Sequence, residues 1–161
     1  MYSMWLTEEQ QRIWREYLTM VSRLQTAMHR QLQQDSERTK GAPNSALSLS
    51  DYDVLVALSE RGPQRINQLG EVLAWEQSRL SHQLRRMRGR GLVERHGSGD
   101  DRRGATVELT DSGRAALDAA APGHVELVRS VVFDGLSAAQ LRAFGSVIES
   151  VLERLATSQP R

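Results

Sequence analysis

The chain has 161 residues, 39% hydrophobic and 25% charged, with a formal net charge of +1. This is ordinary for a folded protein of one domain, or one compact module with extensions, and argues against disorder over most of its length. The absence of cysteine excludes a disulfide scaffold, a thiol redox switch and a Cys-type zinc site, and no apolar run approaches the roughly 20 residues of a membrane helix.

The opening MYSMWLTEEQQ lacks the basic-then-apolar order of a secretion signal, so a cytoplasmic location with no membrane partner is expected. Thr7 and Gln10 form a capping box. Behind it Ile13, Tyr17, Met20, Val21, Leu24, Met28 and Leu32 recur every three or four residues, predicting a helix to about residue 33. Residues 34–49, with Gly, Pro, Asn and Ser, read as a loop. Ser50 to Asp53 reads as the next cap, opening a short helix with Tyr52, Leu55, Val56 and Leu58 inward and ending near Gly62 and Pro63. A third helix is expected over 67–73, capped by Asn67, with Leu69, Val72 and Leu73 inward.

After a turn at Ala74 and Trp75 a fourth helix is predicted over 76–89, ended by Gly91. LVERH and ATVEL then flank the octet GSGDDRRG; Val107 and Leu109 alternate with Thr106 and Glu108, the period of a half-buried strand. The pair reads as a β-hairpin with 97–104 at its tip. Thr110 and Asp111 cap a long helix to about Phe133, which Pro122 should kink. Ser137 and Gln140 form a further capping box before a last helix striped by Leu141, Phe144, Ile148, Val151, Leu152 and Leu155. Apolar stripes on the terminal helices predict either a dimer built from the termini or packing of the ends on the central unit.

Charge is unevenly placed. From Glu76 to Arg103 eight arginines stand against four carboxylates, a local charge of +4. That concentration is the footprint of a phosphate-binding face, or else a solvated, arginine-rich helix. On the fourth helix, at about 100° per residue, Leu80, Leu84 and Met87 form the buried edge. Opposite them lie Ser78, His82, Arg85 and Gly89, with Ser81 on one flank and Arg79 and Arg86 on the other. Such a set of small residues, donors and acceptors suits base edges. Ser81 and His82 diverge as helix neighbours, so the histidine is poorly placed to take the serine proton. No Gly-x-Ser-x-Gly elbow is present either, and no catalytic residues are assigned.

The run LSLSDYDVLVAL…INQLGEVLAWEQSRLSHQLRRMRGRGLVERHGSGDDRRGATVELTDSGRAAL resembles the MarR (multiple antibiotic resistance regulator) winged helix-turn-helix family. RGLVERH and DDRRGATVELTDSGR carry the resemblance most specifically: Gly-Leu-Val, then Asp-Arg-Arg, then Val-x-Leu-Thr-x-x-Gly. The motifs cover about 50–133, and the flanking helices follow by order. The resemblance implies a mainly α fold with a small β-wing. Residues 1–49 would be an N-terminal dimerisation helix and loop, 50–110 the DNA-binding lobe and 111–161 C-terminal dimerisation helices, together one compact module. It implies a transcriptional regulator, more often repressor than activator, binding a pseudo-palindromic double-stranded operator as a homodimer. Gln77, Ser78, Arg79, Ser81, His82, Arg85 and Arg86 would face DNA from the recognition helix. Asp101 and Arg103 would be the wing-tip pair, with Arg102 a backbone contact. Asp101, two residues from Arg103, is placed to hold the guanidinium by a charge-assisted bond. The chain departs from the family at Trp75 and Glu76, where relatives often have serine, and in the length of the 34–49 loop.

Many relatives release DNA when a small aromatic or anionic effector binds. The candidates here are Trp14, Tyr17, Arg23 and Tyr52, whose aromatics serve equally well as core. No cofactor is expected. His29, His82, His96 and His124 raise a zinc-responsive alternative, but no two have i,i+3 or i,i+4 spacing and no metal ligands are assigned. The other alternative is a DNA-binding regulator without a small-molecule ligand.

Overall fold

In a computed structural model, residues 5–38, 46–97 and 105–157 are described. The elements are α1 (Glu8–Arg38), α2 (Leu49–Arg61), β1 (Gln64–Arg65), α3 (Ile66–Leu73), α4 (Gln77–Gly89), β2 (Val93–His96), β3 (Thr106–Leu109), α5 (Asp111–Val128), a π-helical turn (Arg129–Phe133) and α6 (Ala138–Thr157). This is the mainly helical winged-helix architecture expected, with a small antiparallel sheet ordered β1-β3-β2. The chain divides into two compact units, Met1–His124 and Val125–Arg161. No single helix among the described residues is long and apolar enough to cross a membrane.

In the first unit the core is a cluster centred on α2 and α4. Leu55, Leu58, Leu69, Leu80, Met87 and Leu92 are 2% exposed or less. Each such side chain contributes about 1.5–3 kcal/mol by leaving water. The expected edge of α4, Leu80, Leu84 and Met87, is buried. The hairpin register pairs Val93 with Leu109 and Glu94 with Glu108, which sends Val93 and Val107 inward.

Local expectations needed correction where polar side chains compete. α1 continues through Arg38 rather than ending near 33: Gln31 donates to Asp35 across one turn, and Asp35 also meets Arg38. Residues 39–45 of the expected loop lie outside the described residues. The cap of α2 is Ser48, not Ser50. Ser48 Oγ accepts from Asp51 N and Asp51 returns the bond to Ser48 N, a closed capping box. α3 starts at Ile66 after Arg65 rather than at an Asn67 cap, and Val72 is exposed rather than inward. β1 was not expected, because two residues show no periodicity; it pairs Gln64 with Val107 and Arg65 with Thr106. On α1, Leu32 is buried, whereas Ile13, Tyr17 and Met20 stay about half exposed.

The Thr-x-x-Gly of the sequence closes the hairpin onto α5. Thr110 Oγ1 donates to Gly91 O and accepts from Gly113 N, while Thr110 N donates to Leu92 O. Gly91 has φ +70°, a left-handed turn that glycine adopts without strain. α5 runs helically through Pro122. The departure from α geometry comes at Arg129–Phe133, where Asp134 N bonds Arg129 O five residues back. In the second unit Ser137 and Gln140 make the expected reciprocal cap of α6. The apolar stripe of α6 is exposed, from 37% at Phe144 to 59% at Leu152.

Candidate nucleic-acid interface

Because Leu80, Leu84 and Met87 fix the rotation of α4 on the core, its polar faces are fixed too. Beside it the hairpin raises a wall, and between them lies a cleft of about 860 Å³. Gln77, Ser78, Ser81, His82, Arg85 and Arg88 line it from α4, Ile66 and Asn67 from α3, Arg95 and Val107 from the strands. Three guanidinium groups, two hydroxyls, two carboxamides and an imidazole converge on one open groove, an arrangement that can bond phosphates and base edges together. A Cβ at Gly70 would reach Gln77 Nε2, the mobile end of a side chain, at 2.6 Å and Trp75 O at 3.4 Å, which marks how closely α3 approaches the start of α4.

Arg79 and Arg86 do not line this cleft. They share the other flank of α4, where Arg79 lies over the indole of Trp75, 4.1 Å from its ring centroid. Arg90, part of the basic footprint in the sequence, is engaged inward. Its guanidinium reaches Asp51 Oδ2 at 2.8 Å and Ala46 O at 2.6 Å, and Gln83 Nε2 donates to Asp51 Oδ1 at 2.5 Å. Asp101, Arg102 and Arg103 lie outside the described residues.

A model of the winged helix DNA-binding domain matches residues 47–113. The structure is similar to that of AbsC, a MarR family transcriptional regulator from Streptomyces coelicolor. The two share 31% identity at a TM-score of 0.83, over 97% of this chain and all of that one. The chain belongs to the MarR family. Sco3205, a second MarR regulator from the same organism solved in complex with DNA, is 36% identical at a TM-score of 0.82, covering 97% of this chain and 95% of that one. Among curated proteins, the repressor NicR of Pseudomonas putida is 36% identical over 76 residues, 47% of this chain and 48% of NicR. The match thus spans about half the length of the curated relatives. MarR proteins are DNA-binding transcriptional regulators, and this chain is one.

Within that MarR frame, reading the sequence alone missed Arg88, Arg95 and Asn67 as cleft residues. Arg88 was legible as the residue one turn beyond Arg85 and two beyond Ser81. Arg95 and Asn67 needed the wing and α3 to be placed.

The four effector candidates occupy different settings. Trp14 and Tyr17 stack on each other, centroids 5.4 Å apart, on the exposed face of α1. Arg23 borders a shallow depression formed by α1 alone. Tyr52 is buried, its ring 4.4 Å from that of His124. Tyr52 shares the core cluster with Leu32, which is about 27 Å along α1 from Trp14 at 1.5 Å per residue, so among the described residues no single pocket of the chain unites the four. Among the histidines, His96 Nε2 lies 2.6 Å from Glu108 and 3.7 Å from Glu94 on the outer face of the hairpin, and these three form a group of metal-ligating types.

Among the described residues His124 Nδ1 is buried without a hydrogen-bond partner. Burial lowers the His124 pKa from its ordinary 6.5, against the opposing pull of Asp53. Burial likewise raises Asp53 above 3.8, against His124 and Arg79, and raises Tyr52, with Asp53 adding to that rise. A lowered histidine contributes stability that is full above its unfolded pKa and is lost as pH falls through the lower folded value. Asp53 has the opposite sign, its contribution being lost as pH rises through its raised value. Between about pH 7 and pH 5 the wild type is therefore expected to lose more melting temperature than His124→Phe, which keeps an aromatic ring on Tyr52. Equal losses in the two proteins would show that the imidazole is not held neutral.

Proposed function

We propose that this MarR-family regulator is a cytoplasmic, homodimeric repressor that reads a pseudo-palindromic operator and releases it when a small aromatic or anionic effector binds. α4 enters the major groove, the hairpin lies along the flanking backbone, and Arg103 at its tip reaches the minor groove as the family resemblance implies. The observation that carries the reading is the convergence of Ser81, His82, Arg85, Arg88 and Arg95 on one cleft. Dimerisation through residues 1–49 and 111–161 is supported by the apolar side chains these segments leave in solvent. Trp5, Leu6, Ile13 and Trp14 are at least half exposed in the first unit, as are Val147, Leu152 and Leu155 in the second. Two recognition helices about 34 Å apart predict an operator of two half-sites one helical turn apart.

The test is a salt titration with a duplex selected from a random library by the protein itself. The logarithm of the affinity should fall by about 0.9 per phosphate contacted for each unit of log salt, a slope of −5 or steeper for about six contacts. A near-flat response contradicts the reading. Arg85→Ala is expected to cost about 1–3 kcal/mol on the selected duplex and to relax preference at one base position per half-site. An equal loss on random DNA would assign Arg85 to phosphate. A zinc-responsive regulator is the second reading, favoured by the Glu94, His96 and Glu108 group. Thermal shifts with aromatic acids and with zinc separate the two.

A further inference from the structure

Trp75 is a large aromatic that the cleft does not use. It stands at the α3–α4 turn, whose geometry is tightly set. Ala74 adopts a left-handed conformation, φ 52° and ψ 42°, Ala74 N donates to Glu71 O and Trp75 N donates to Gly70 O at 3.0 Å. The indole is half-buried against the edge of the core, so its direction is fixed by both turn and packing. Arg79, four residues on and therefore one turn up α4, lays its guanidinium over that ring. Stacking occupies the face of a guanidinium and leaves its in-plane N–H donors free. The Asp53 carboxylate of α2, itself exposed, lies close enough to interact electrostatically with the same guanidinium.

A helix with its side chains is about 10–12 Å across and the major groove about 12 Å wide, so the two flanks of an inserted helix face the two phosphate walls. The cleft lies on one flank of α4, Arg79 and Arg86 on the other. We propose that Trp75 is a positioning residue for DNA binding: it holds the Arg79 guanidinium edge-on to the sugar-phosphate wall opposite the wing, so that Arg79 clamps a phosphate and does not read a base. This rests on the DNA-binding reading of α4. A guanidinium ordered before binding loses less side-chain freedom on meeting phosphate, and the bidentate bond it makes is charge-assisted.

The experiment is a double-mutant cycle on the full chain, with affinity measured for the self-selected duplex and for single-base variants of it across a range of salt. Trp75→Ala is expected to weaken binding about three- to tenfold, and Trp75→Phe, which keeps an aromatic face and the packing, to recover most of it. In an Arg79→Ala background, Trp75→Ala should cost less than twofold, because the group it positions is gone. Arg79→Ala should reduce the salt slope by about 0.9 for each phosphate released and leave the ranking of base variants unchanged. The proposal is overturned if Trp75→Ala costs as much without Arg79 as with it, or if Trp75→Phe is as weak as Trp75→Ala. It is also overturned if Arg79→Ala reorders the base preference at an unchanged slope. A wild type that selects no duplex defeats the DNA-binding reading itself, which separates that failure from this one.

Discussion

Arg90→Ala is expected to lower the stability of the chain by about 3 kcal/mol, the low end for removing one partner of a buried ion pair. Asp51 is 1% exposed and holds three partners: Ser48 N, which it caps, Gln83 Nε2 and the Arg90 guanidinium. Without Arg90 the carboxylate keeps two neutral donors and no opposite charge, in a place that water does not reach. The Arg90 side chain itself is about one-third exposed, at 34%, and part of its charge is screened, which sets the estimate at the low end. Asp51→Ala removes the charge but orphans the buried Gln83 amide and opens the capping box, so it too should destabilise, by about 2 kcal/mol. The double variant should lose clearly less than the sum of the two. Urea melts of the four proteins test this; an Arg90→Ala variant within about 0.5 kcal/mol of wild type would reduce the network to ornament. The consequence reaches the proposed function, because this network ties the start of α2 to the middle and the C-cap of α4, the helix proposed to read DNA.

Gly113→Ala is expected to destabilise by about 3 kcal/mol, the upper end for a group added to a packed site. A Cβ at this position would land on the carbonyl of Leu92, with the Leu109 side chain at 3.4 Å behind it. That carbonyl cannot simply retreat, because it accepts the Thr110 amide that closes the hairpin onto α5. The strain would therefore pass into the base of the wing, and DNA affinity should fall together with stability. Gly89→Ala is the internal control. An added Cβ there meets nothing within 4 Å, and the position is in the last turn of α4, so the change should be neutral or stabilising by up to about 1 kcal/mol. A Gly113→Ala protein as stable as Gly89→Ala would show that the wing base yields where the packing says it cannot.

What the sequence made legible follows from which forces are local. The rotation of α4 was readable because three apolar side chains at helical spacing leave little choice of buried edge. The hairpin was readable because Val107 and Leu109 alternate with polar neighbours and glycines bracket the tip. Ser48 and Ser50 each stand three residues before an aspartate, so spacing alone does not choose between them. The choice is made by Arg90 and Gln83, 39 and 32 residues from Asp51, which draw that carboxylate and not Asp53 into the core. The same pairing removes Arg90 from the basic face on which charge counting had placed it. Sorting the remaining arginines into cleft and opposite flank required the hairpin wall, since a helical wheel has no left or right until something packs beside it. α1 and α6 gave clear stripes, but a stripe does not say whether its cover is the same chain or a second copy.

The claim that the α4 cleft is the DNA-reading surface can be tested by cleavage from the protein itself, because the chain has no cysteine. Ser81→Cys offers a single attachment point inside the cleft for an iron-EDTA group, and Ser146→Cys on α6 a control. With the self-selected duplex bound, the Ser81 conjugate should cut at two loci about one helical turn apart, inside the footprint. Diffuse cutting from Ser81, or localised cutting from Ser146 in its place, would contradict it.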